Sequence, residues 1–301
     1  MDSTAIDYAP LTRRPDATRV AALRQEALAG AFGRETAKEL REEKSGSLII
    51  VTLVGGLLVV IFGGVTISQW VNGEDWSDVS IGLGFTVVIA ALAVGMYVLS
   101  RRVLRPRAWQ RAVRLILFAR ANGLDAQPRA GIRTMPGALE RAGRPRQYKA
   151  FRNRVVWTQH GLPVEAATYS DMGGGGRNPD TFEVRYLAVT LPFAPPRSTF
   201  RCGRNLGMRG EESAAWVDAL GGSEGRSRVM CPRNAVDDVK AFFTPELRAV
   251  LTDRRNPANA ELAGDRLLIY YARKNALDVT LWKCMFAAVD AVASSVTARQ
   301  Q

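Results

Sequence analysis

Two long apolar segments without a charged side chain constrain the fold of this 301-residue chain more than any other feature. Residues 45–73 are 29 consecutive positions without Asp, Glu, Lys or Arg, and residues 79–100 are another 22. A helix of about 20 apolar residues crosses the ~30 Å hydrocarbon core of a bilayer. The sequence therefore predicts a two-span membrane hairpin over residues 47–100 that carries a water-facing domain.

Charged residues beside the two apolar segments predict their orientation. The loop between them carries Glu74, Asp75 and Asp78 and no basic residue, whereas basic residues precede the first segment and follow the second. Because basic flanks of membrane spans face the cytoplasm, we expect a multi-pass protein of the cell membrane with both termini in the cytoplasm. The length of chain before the first span indicates a retained anchor rather than a cleaved signal peptide.

Positive charge is concentrated just after the second span. Residues 101–154 hold 15 basic and 2 acidic side chains, in a chain of formal net charge +12. Anionic lipid headgroups attract such a segment by about 1 kcal/mol for each nearby Lys or Arg. The candidate contacts to lipid or another anion are six arginines: Arg101, Arg102, Arg105, Arg107, Arg111 and Arg114. The alternative is that these arginines only set the topology and form a solvated face.

Composition also argues against several function classes. The basic residues are not combined with an aromatic platform or a known nucleic-acid-binding signature, so we expect no nucleic-acid partner. Three widely separated cysteines, Cys202, Cys231 and Cys284, show no metal-ligand spacing and no disulfide framework. We therefore expect reduced, mostly buried cysteines, with no metal and no cofactor.

The pattern after the second span predicts an α+β domain with an antiparallel sheet. A helix after Pro106 is expected to end at Asn122-Gly123, and residues 126–148 are expected to form an irregular connection. Strand-like composition predicts a three-stranded meander at residues 155–157, 164–169 and 182–191, with further strands at 199–202, 228–231 and 266–272. Helices are predicted at residues 211–219, 235–252 and 276–298, and Thr244-Pro245 marks a helix start inside the second of them.

Motifs that resemble catalytic sites lack the context that the chemistry requires. Residues 173–176 are four glycines before Arg177, but a strand rather than a helix is expected after them, unlike a phosphate-binding loop. Residues 221–225 match the letters of a nucleophile elbow, yet the single histidine, His160, precedes them. Both segments are interpreted as loops, and His160 as a turn residue.

Two acidic pairs and one apolar stripe have structural interpretations as well. Glu261 with Asp265 and Asp237 with Asp238 are expected in turn and helix-capping roles rather than in acid–base chemistry. The last predicted helix has apolar residues at steps of three and four, which indicates packing on the domain's own sheet more than self-association. These residues are Trp282, Met285, Val289, Val292 and Val296.

Several short motifs together resemble an uncharacterised family of actinobacterial integral membrane proteins. They include Phe118-Ala119, Asn122-Gly123-Leu124, Gly161 with Pro163 and Glu165, Tyr169, Leu191-Pro192, the Thr244-Pro245 helix, and Glu261 to Asp265 before Leu267. The resemblance covers residues 110–290. It implies a cytosolic α+β domain on a membrane hairpin and supplies no catalytic residues.

The sequence thus predicts four regions and a function without catalysis. A partly helical cytosolic leader occupies residues 1–46, the hairpin 47–100, a basic juxtamembrane helix and linker 101–148, and the α+β domain 149–301. The domain is expected to be a non-catalytic binding or scaffolding module at the inner leaflet, with an unknown protein partner and self-association both open. A membrane-tethered enzyme for an anionic or phosphorylated substrate, using Arg177 and residues 261–265, is one alternative; membrane-linked nucleic-acid binding is another.

Overall fold

A computed structural model describes most of the chain after the second apolar segment. The described ranges are residues 6–42, 105–131, 148–172, 181–202, 216–220, 227–271 and 275–300, together with nine helical positions between residues 64 and 95. The chain divides into two compact units. Unit 1 comprises residues 1–16 and 112–301, and unit 2 comprises residues 17–111.

Helices lie at the start, middle and end of the chain. Their bounds are α1 Ala9–Thr12, α2 Ala17–Leu28, α3 Arg105–Ala121, α4 Val236–Phe242, α5 Pro245–Leu251 and α6 Val279–Gln300, with a 3₁₀ turn at Arg233–Ala235. Residues 34–42 are helical as well. In unit 2, Leu23 and Ala27 of α2 are fully buried, and the indole N–H of Trp109 donates to the carbonyl of Val20 over 3.3 Å.

A nine-stranded antiparallel sheet forms the centre of unit 1. Its strands are β1 Asp125–Ala130, β2 Tyr148–Gln159, β3 Leu162–Met172, β4 Thr181–Thr190, β5 Ser198–Cys202, β6 Trp216–Asp218, β7 Ser227–Pro232, β8 Ala258–Ala263 and β9 Arg266–Tyr271. Their order across the sheet is β1-β2-β3-β4-β9-β8-β5-β7-β6. Strands β4 and β5, which are consecutive in the chain, are therefore separated by the β8–β9 hairpin.

Helices of unit 1 cover one face of the sheet, which we call the helix face. Successive strand residues point to opposite faces of a sheet. By this alternation and the strand registers, Trp157, Arg185 and Tyr271 point to the helix face. The ring of Trp157 lies 5.2 Å from that of Phe286 in α6, and Phe200 of β5 stacks on Phe243 beside α4 at 5.7 Å. The apolar stripe predicted for the last helix is fully or almost fully buried, which confirms that it packs within the domain.

The opposite face has its own apolar cluster and is called the tyrosine face. Tyr169, Tyr186 and Tyr270 are at most 2% exposed there, and Phe151 and Leu268 pack with them. Burying large side chains on both faces stabilises the sheet by about 1.5–3 kcal/mol for each side chain removed from water. Both faces of the sheet thus contribute to the core.

Local signals in the sequence account for several element ends. Helix α3 ends at Asn122-Gly123 as predicted: Gly123 has φ +67°, and the N–H of Leu124 donates to the carbonyl of Ala119 over 2.8 Å. Thr244 caps α5 as predicted, because its hydroxyl accepts the N–H of Leu247 over 3.3 Å and Pro245 is the first helical residue.

The fold class predicted from the sequence, a membrane hairpin of two spans plus a cytosolic α+β domain, is corrected by the structure. Among the described residues the nine-stranded sheet dominates, and no two-span hairpin precedes it. Within the part of the chain that the structure describes, one helix is long and apolar enough to cross a membrane by length and composition, and it lies at Val279–Arg299. Apart from the nine helical positions between residues 64 and 95, residues 43–104 lie outside the described ranges.

Hydropathy alone could not predict the fold. It measures how strongly a segment avoids water, but it does not tell whether the segment is buried in a membrane or inside the protein. Helix α6 passes the length and hydropathy test for a span, yet 56% of its apolar window is buried inside the protein. The strands, by contrast, have three to 12 residues, which is shorter than a membrane span, so none of them stands out in a span-length hydropathy average although together they form the largest element.

Three strands, β1, β6 and β8, were not predicted. Strand β1 falls in the segment expected to be irregular, and it accommodates Pro128 because it lies at the sheet edge and pairs with β2 alone. Strand β6 falls where a helix was expected. There the carboxylate of Asp218 accepts the N–H groups of Leu220 and Val229, and such local bonds compete with a helix.

Candidate functional site

A groove opens where strands β2, β3, β4 and β9 reach the same end of the sheet, and we call it the strand-end groove. It encloses about 330 Å³. Its lining residues are Arg154, Val156, Trp157, Thr158, Pro163, Val164, Glu165, Ala188, Thr190 and Arg266. Most of these side chains lie on the tyrosine face. Cross-strand partners point to the same face of a sheet, and Val156 pairs with Glu165, Glu165 with Ala188, and Thr190 with Arg266.

A hairpin and a bulge determine which side chains reach the groove. Strands β2 and β3 are joined by the two-residue turn His160-Gly161, whose φ angles of +52° and +75° suit the twist of a tight hairpin. Farther along β2, the pairing register shifts between Arg152 and Val155, where Asn153 has φ +52°. A bulge of this kind re-aims a side chain, and here it directs Arg154 toward Glu165.

A charged network forms the inner end of the groove. Nε and Nη2 of Arg154 lie 2.9 and 2.8 Å from Oε2 of Glu165, and its Nη1 donates to the side-chain oxygen of Gln127 over 3.0 Å. The hydroxyl of Tyr186 donates to Oε1 of Glu165 over 2.6 Å. Both carboxylate oxygens are therefore engaged. Burial, assisted by the charge of Glu165, raises the pKa of Tyr186.

The outer end of the groove is less constrained. Thr158 and Pro163 are exposed neighbours on β2 and β3, whereas Thr190 and Arg266 are half-buried neighbours on β4 and β9. Arg266 Nε lies 4.0 Å from Asp265 Oδ1, beyond hydrogen-bonding distance, and both side chains are substantially exposed. The outer end thus presents one guanidinium and two hydroxyls above an apolar floor of Val156 and Ala188.

The other acidic residues singled out in the sequence do not converge on this groove. Glu261 is buried in β8 and accepts the hydroxyl of Tyr270 over 2.6 Å, whereas Asp265 lies in the β8–β9 turn with 61% of its side chain exposed. Asp237 and Asp238 lie in the first turn of α4, but the N-cap residue is Ala235 and no side-chain capping bond forms there; Asp238 accepts from Arg299 over 2.8 Å.

Two further polar groups lie on the helix-face side of unit 1. His160 Nε2 lies 2.7 Å from Asp290 Oδ1 of α6, which confirms its position in a turn at the surface. Arg185 is fully buried with its guanidinium 5.2 Å from the ring of Trp282, and Nη1 donates to the carbonyl of Asn153 over 3.1 Å. Burial lowers the pKa of Arg185 to about 10.

The cysteines are free, as predicted. Cys231 and Cys284 are buried and Cys202 is partly exposed. Burial raises the pKa of Cys231, and burial near Asp253 raises that of Cys284 to about 11. Thiols with raised pKa values react slowly at neutral pH. Within the described part of the chain, no group of three or more His, Cys, Asp or Glu side chains is arranged to hold a metal ion.

The six candidate arginines are only partly within the described residues. Arg101 and Arg102 lie outside them, as do Arg177, the glycines 173–176 and the segment 221–225. Arg105 and Arg107 are in the first turn of α3, Arg111 is exposed, and Arg114 is half-buried. Their role in lipid contact stays a prediction.

Sequence reasoning missed the groove residues because they come from four strands. The available signal was modest: Arg154, Glu165 and Arg185 are charged residues inside strand-like segments, where a charge needs a partner. Arg266 and Thr190 carried no signal of their own, since only the pairing of β4 with β9 brings them together.

Comparison with known proteins gives a low structural similarity to a solved structure. No protein-family model and no curated protein matches the chain. Among solved structures, the chain is similar to the crystal structure of the mycobacterial trehalose monomycolate transport factor A, TtfA. The two are 10% identical with a TM-score of 0.43, over 62% of this chain and 93% of that one.

Proposed function

We propose that the chain is a membrane-associated, non-catalytic module that binds a ligand in the strand-end groove. The observation that carries the proposal is the groove itself, a concave site of about 330 Å³ in which polar and apolar side chains converge. Ligand sites combine apolar lining with polar groups that fix orientation, and in this groove the two kinds of side chain are about equally represented.

Association with a membrane rests on exposed apolar surface. Within the described residues, the large apolar side chains that are most exposed all lie between residues 67 and 94, in unit 2. Ile67, Val71, Val87, Val88 and Val94 are helical and 57–75% exposed. Ile67 and Val71 are four residues apart, and Val87 and Val94 are seven apart, so each pair lies on one face of a helix. Exposed apolar faces mark contacts with membranes or partners, and the charge-free segments around these residues favour the membrane.

Binding without catalysis rests on how the ionisable groups are engaged. A general acid or base needs a pKa matched to its task and must reach the proton that it transfers. Here both oxygens of Glu165 accept hydrogen bonds, Glu261 accepts the hydroxyl of Tyr270, and the buried thiols have raised pKa values. These contacts support roles in holding the sheet and groove rather than in proton transfer.

The membrane part of the proposal is tested by fractionation of cells that express the intact chain. We expect it to sediment with membranes, to stay there after a high-salt wash, and to be released by detergent. Release by salt alone would contradict apolar insertion and indicate electrostatic attachment only.

The binding part is tested by native mass spectrometry of the detergent-purified chain. We expect a retained small molecule that leaves when Thr158→Trp fills the exposed end of the groove, and that stays in the control variant Thr297→Trp, which adds the same side chain on the exposed side of α6. Loss of the molecule from both variants, or its chemical conversion during incubation, would contradict a binding-only groove.

A further inference from the structure

We infer that the strand-end groove binds the phosphate-bearing headgroup of an anionic lipid, with Arg266 as the residue that selects for the charge. The inference rests on the proposed function and specifies its ligand. Three properties of the groove lead to it: one cation with uncommitted donors, two hydroxyls beside it, and an apolar floor too small for lipid tails.

The charge balance of the groove singles out Arg266. Arg154 and Glu165 neutralise each other, and both carboxylate oxygens of Glu165 already accept hydrogen bonds. Arg266 forms a long ion pair of 4.0 Å with Asp265, and 38% of the Arg266 side chain and 61% of the Asp265 side chain are exposed. Solvent screens such a pair, so it holds the guanidinium weakly. The groove therefore presents a positive charge to an incoming group.

The donors around Arg266 suit a phosphate. A guanidinium offers planar, paired N–H donors that match phosphate oxygens, and charge-assisted bonds of this type are about twice as strong as neutral ones. Thr190 is the direct cross-strand neighbour of Arg266, and Thr158 lines the same end of the groove. Their hydroxyls can donate to the remaining phosphate oxygens.

The floor and the volume distinguish a lipid headgroup from a free anion or a nucleotide. Val156, Pro163 and Ala188 offer apolar surface to methylene groups, which inorganic phosphate lacks. The indole of Trp157 is 8% exposed and its N–H donates to Gln159, so its ring is not available to stack on a base. A volume of about 330 Å³ is at the small end of ligand sites and holds a headgroup with its first methylenes, leaving the tails outside.

The basic charge of the chain also favours a membrane lipid as the ligand of the groove. Residues 101–154 carry 15 basic and 2 acidic side chains, which attract anionic headgroups at a membrane surface. A headgroup site on the sheet would add selectivity to that general attraction.

The experiment is calorimetric titration of the intact, detergent-purified chain with dihexanoyl phosphatidylglycerol below its micelle concentration. Dihexanoyl phosphatidylcholine and inorganic phosphate are titrated in parallel. The variants are Arg266→Gln, Arg266→Lys and Thr158→Trp, with Arg255→Gln as a matched control, because Arg255 is an exposed arginine that does not line the groove. Near-ultraviolet circular dichroism verifies the fold of each.

We expect phosphatidylglycerol to bind at least about tenfold more tightly than phosphatidylcholine, which corresponds to about 1.4 kcal/mol. Arg266→Gln and Thr158→Trp should weaken that binding by at least about tenfold, Arg266→Lys should restore part of it, and Arg255→Gln should leave it unchanged. The calorimetry of all variants is compared at one ionic strength.

Four results would overturn the inference: no binding of phosphatidylglycerol, equal binding of phosphatidylcholine, binding of inorganic phosphate as tight as that of the lipid, or an equal loss in Arg255→Gln. If native mass spectrometry nevertheless shows another molecule that Thr158→Trp displaces, the groove remains a binding site with a different ligand, and only the lipid assignment fails.

Discussion

At the scale of single residues, the buried charges of the sheet differ in how well they are compensated. Arg154 meets a carboxylate at 2.8 Å, whereas Arg185 has a carbonyl, a hydroxyl and an aromatic ring around it and no acidic partner among the described residues. Its Nε and Nη2 are buried without a hydrogen-bond partner in that part of the chain. Taking a cation out of water without a counter-charge is costly, so Arg185 reduces stability at neutral pH.

We predict that Arg185→Met leaves the free energy of unfolding unchanged or raises it by about 1–4 kcal/mol, because an apolar chain of similar length removes the uncompensated charge. Urea unfolding followed by tryptophan fluorescence measures this. Arg185→Lys is the control: it keeps the charge and loses the stacking on Trp282, and is expected to destabilise. A loss of more than about 1 kcal/mol in Arg185→Met would show that the bonds to Asn153 and Thr168 outweigh the desolvation cost.

At the scale of elements, the β2–β3 hairpin positions the groove. Its turn has two residues with positive φ, His160 and Gly161, and its strand β2 is bulged near Asn153. The turn fixes the register in which Thr158 faces Pro163, and the bulge places Arg154 beside Glu165. A one-residue slip would move every side chain of β2 to the other face of the sheet.

We predict that Gly161→Ala lowers the free energy of unfolding by about 1–2 kcal/mol, because an L side chain at φ +75° is strained. The position is a clean probe, since a Cβ atom there meets nothing within 4 Å. Gly161→Asn is expected to cost less, because Asn tolerates positive φ. Equal costs for Ala and Asn in chemical denaturation would contradict conformational strain as the cause.

At the scale of the whole molecule, alkaline pH acts on several buried groups at once. Burial raises the pKa of Tyr186 and of Tyr271, and it raises the pKa of Cys284 from 9.0 to about 11. The folded state therefore holds these protons to higher pH than the unfolded state does. Their contribution to stability is complete below pH 9 and is lost as the pH rises through the folded values. Arg185, with its lowered pKa, acts in the opposite sense above about pH 10.

We predict that the midpoint of urea unfolding falls steadily from pH 9 to pH 11, and that a Tyr271→Phe/Cys284→Ala double variant loses part of this dependence. Tyr271 and Cys284 lie close enough for each to affect the pKa of the other. Cys202→Ala is the matched control, because Cys202 takes no part in that interaction. A midpoint that does not change over this range, or an identical slope in the double variant, would contradict the assignment.

Much of the local structure followed from the sequence alone. The strands around residues 164–169, 182–191, 199–202 and 228–231, the Thr244 cap, the end of α3 at Gly123, the free cysteines and the buried stripe of α6 were all predicted. Each depends on neighbours within a few positions, such as alternation, a capping hydroxyl or a flexible glycine. Such signals are present before the chain folds.

The sheet order and the groove were decided by the tertiary structure alone. The order β1-β2-β3-β4-β9-β8-β5-β7-β6 brings Arg266 next to Thr190 and into one groove with Arg154 and Glu165. Which strands pair depends on how their apolar faces pack under the helices, and local periodicity does not encode that choice. The sequence alone determined the apolar segments, the basic surplus and most of the elements; long-range packing determined which side chains meet in the groove.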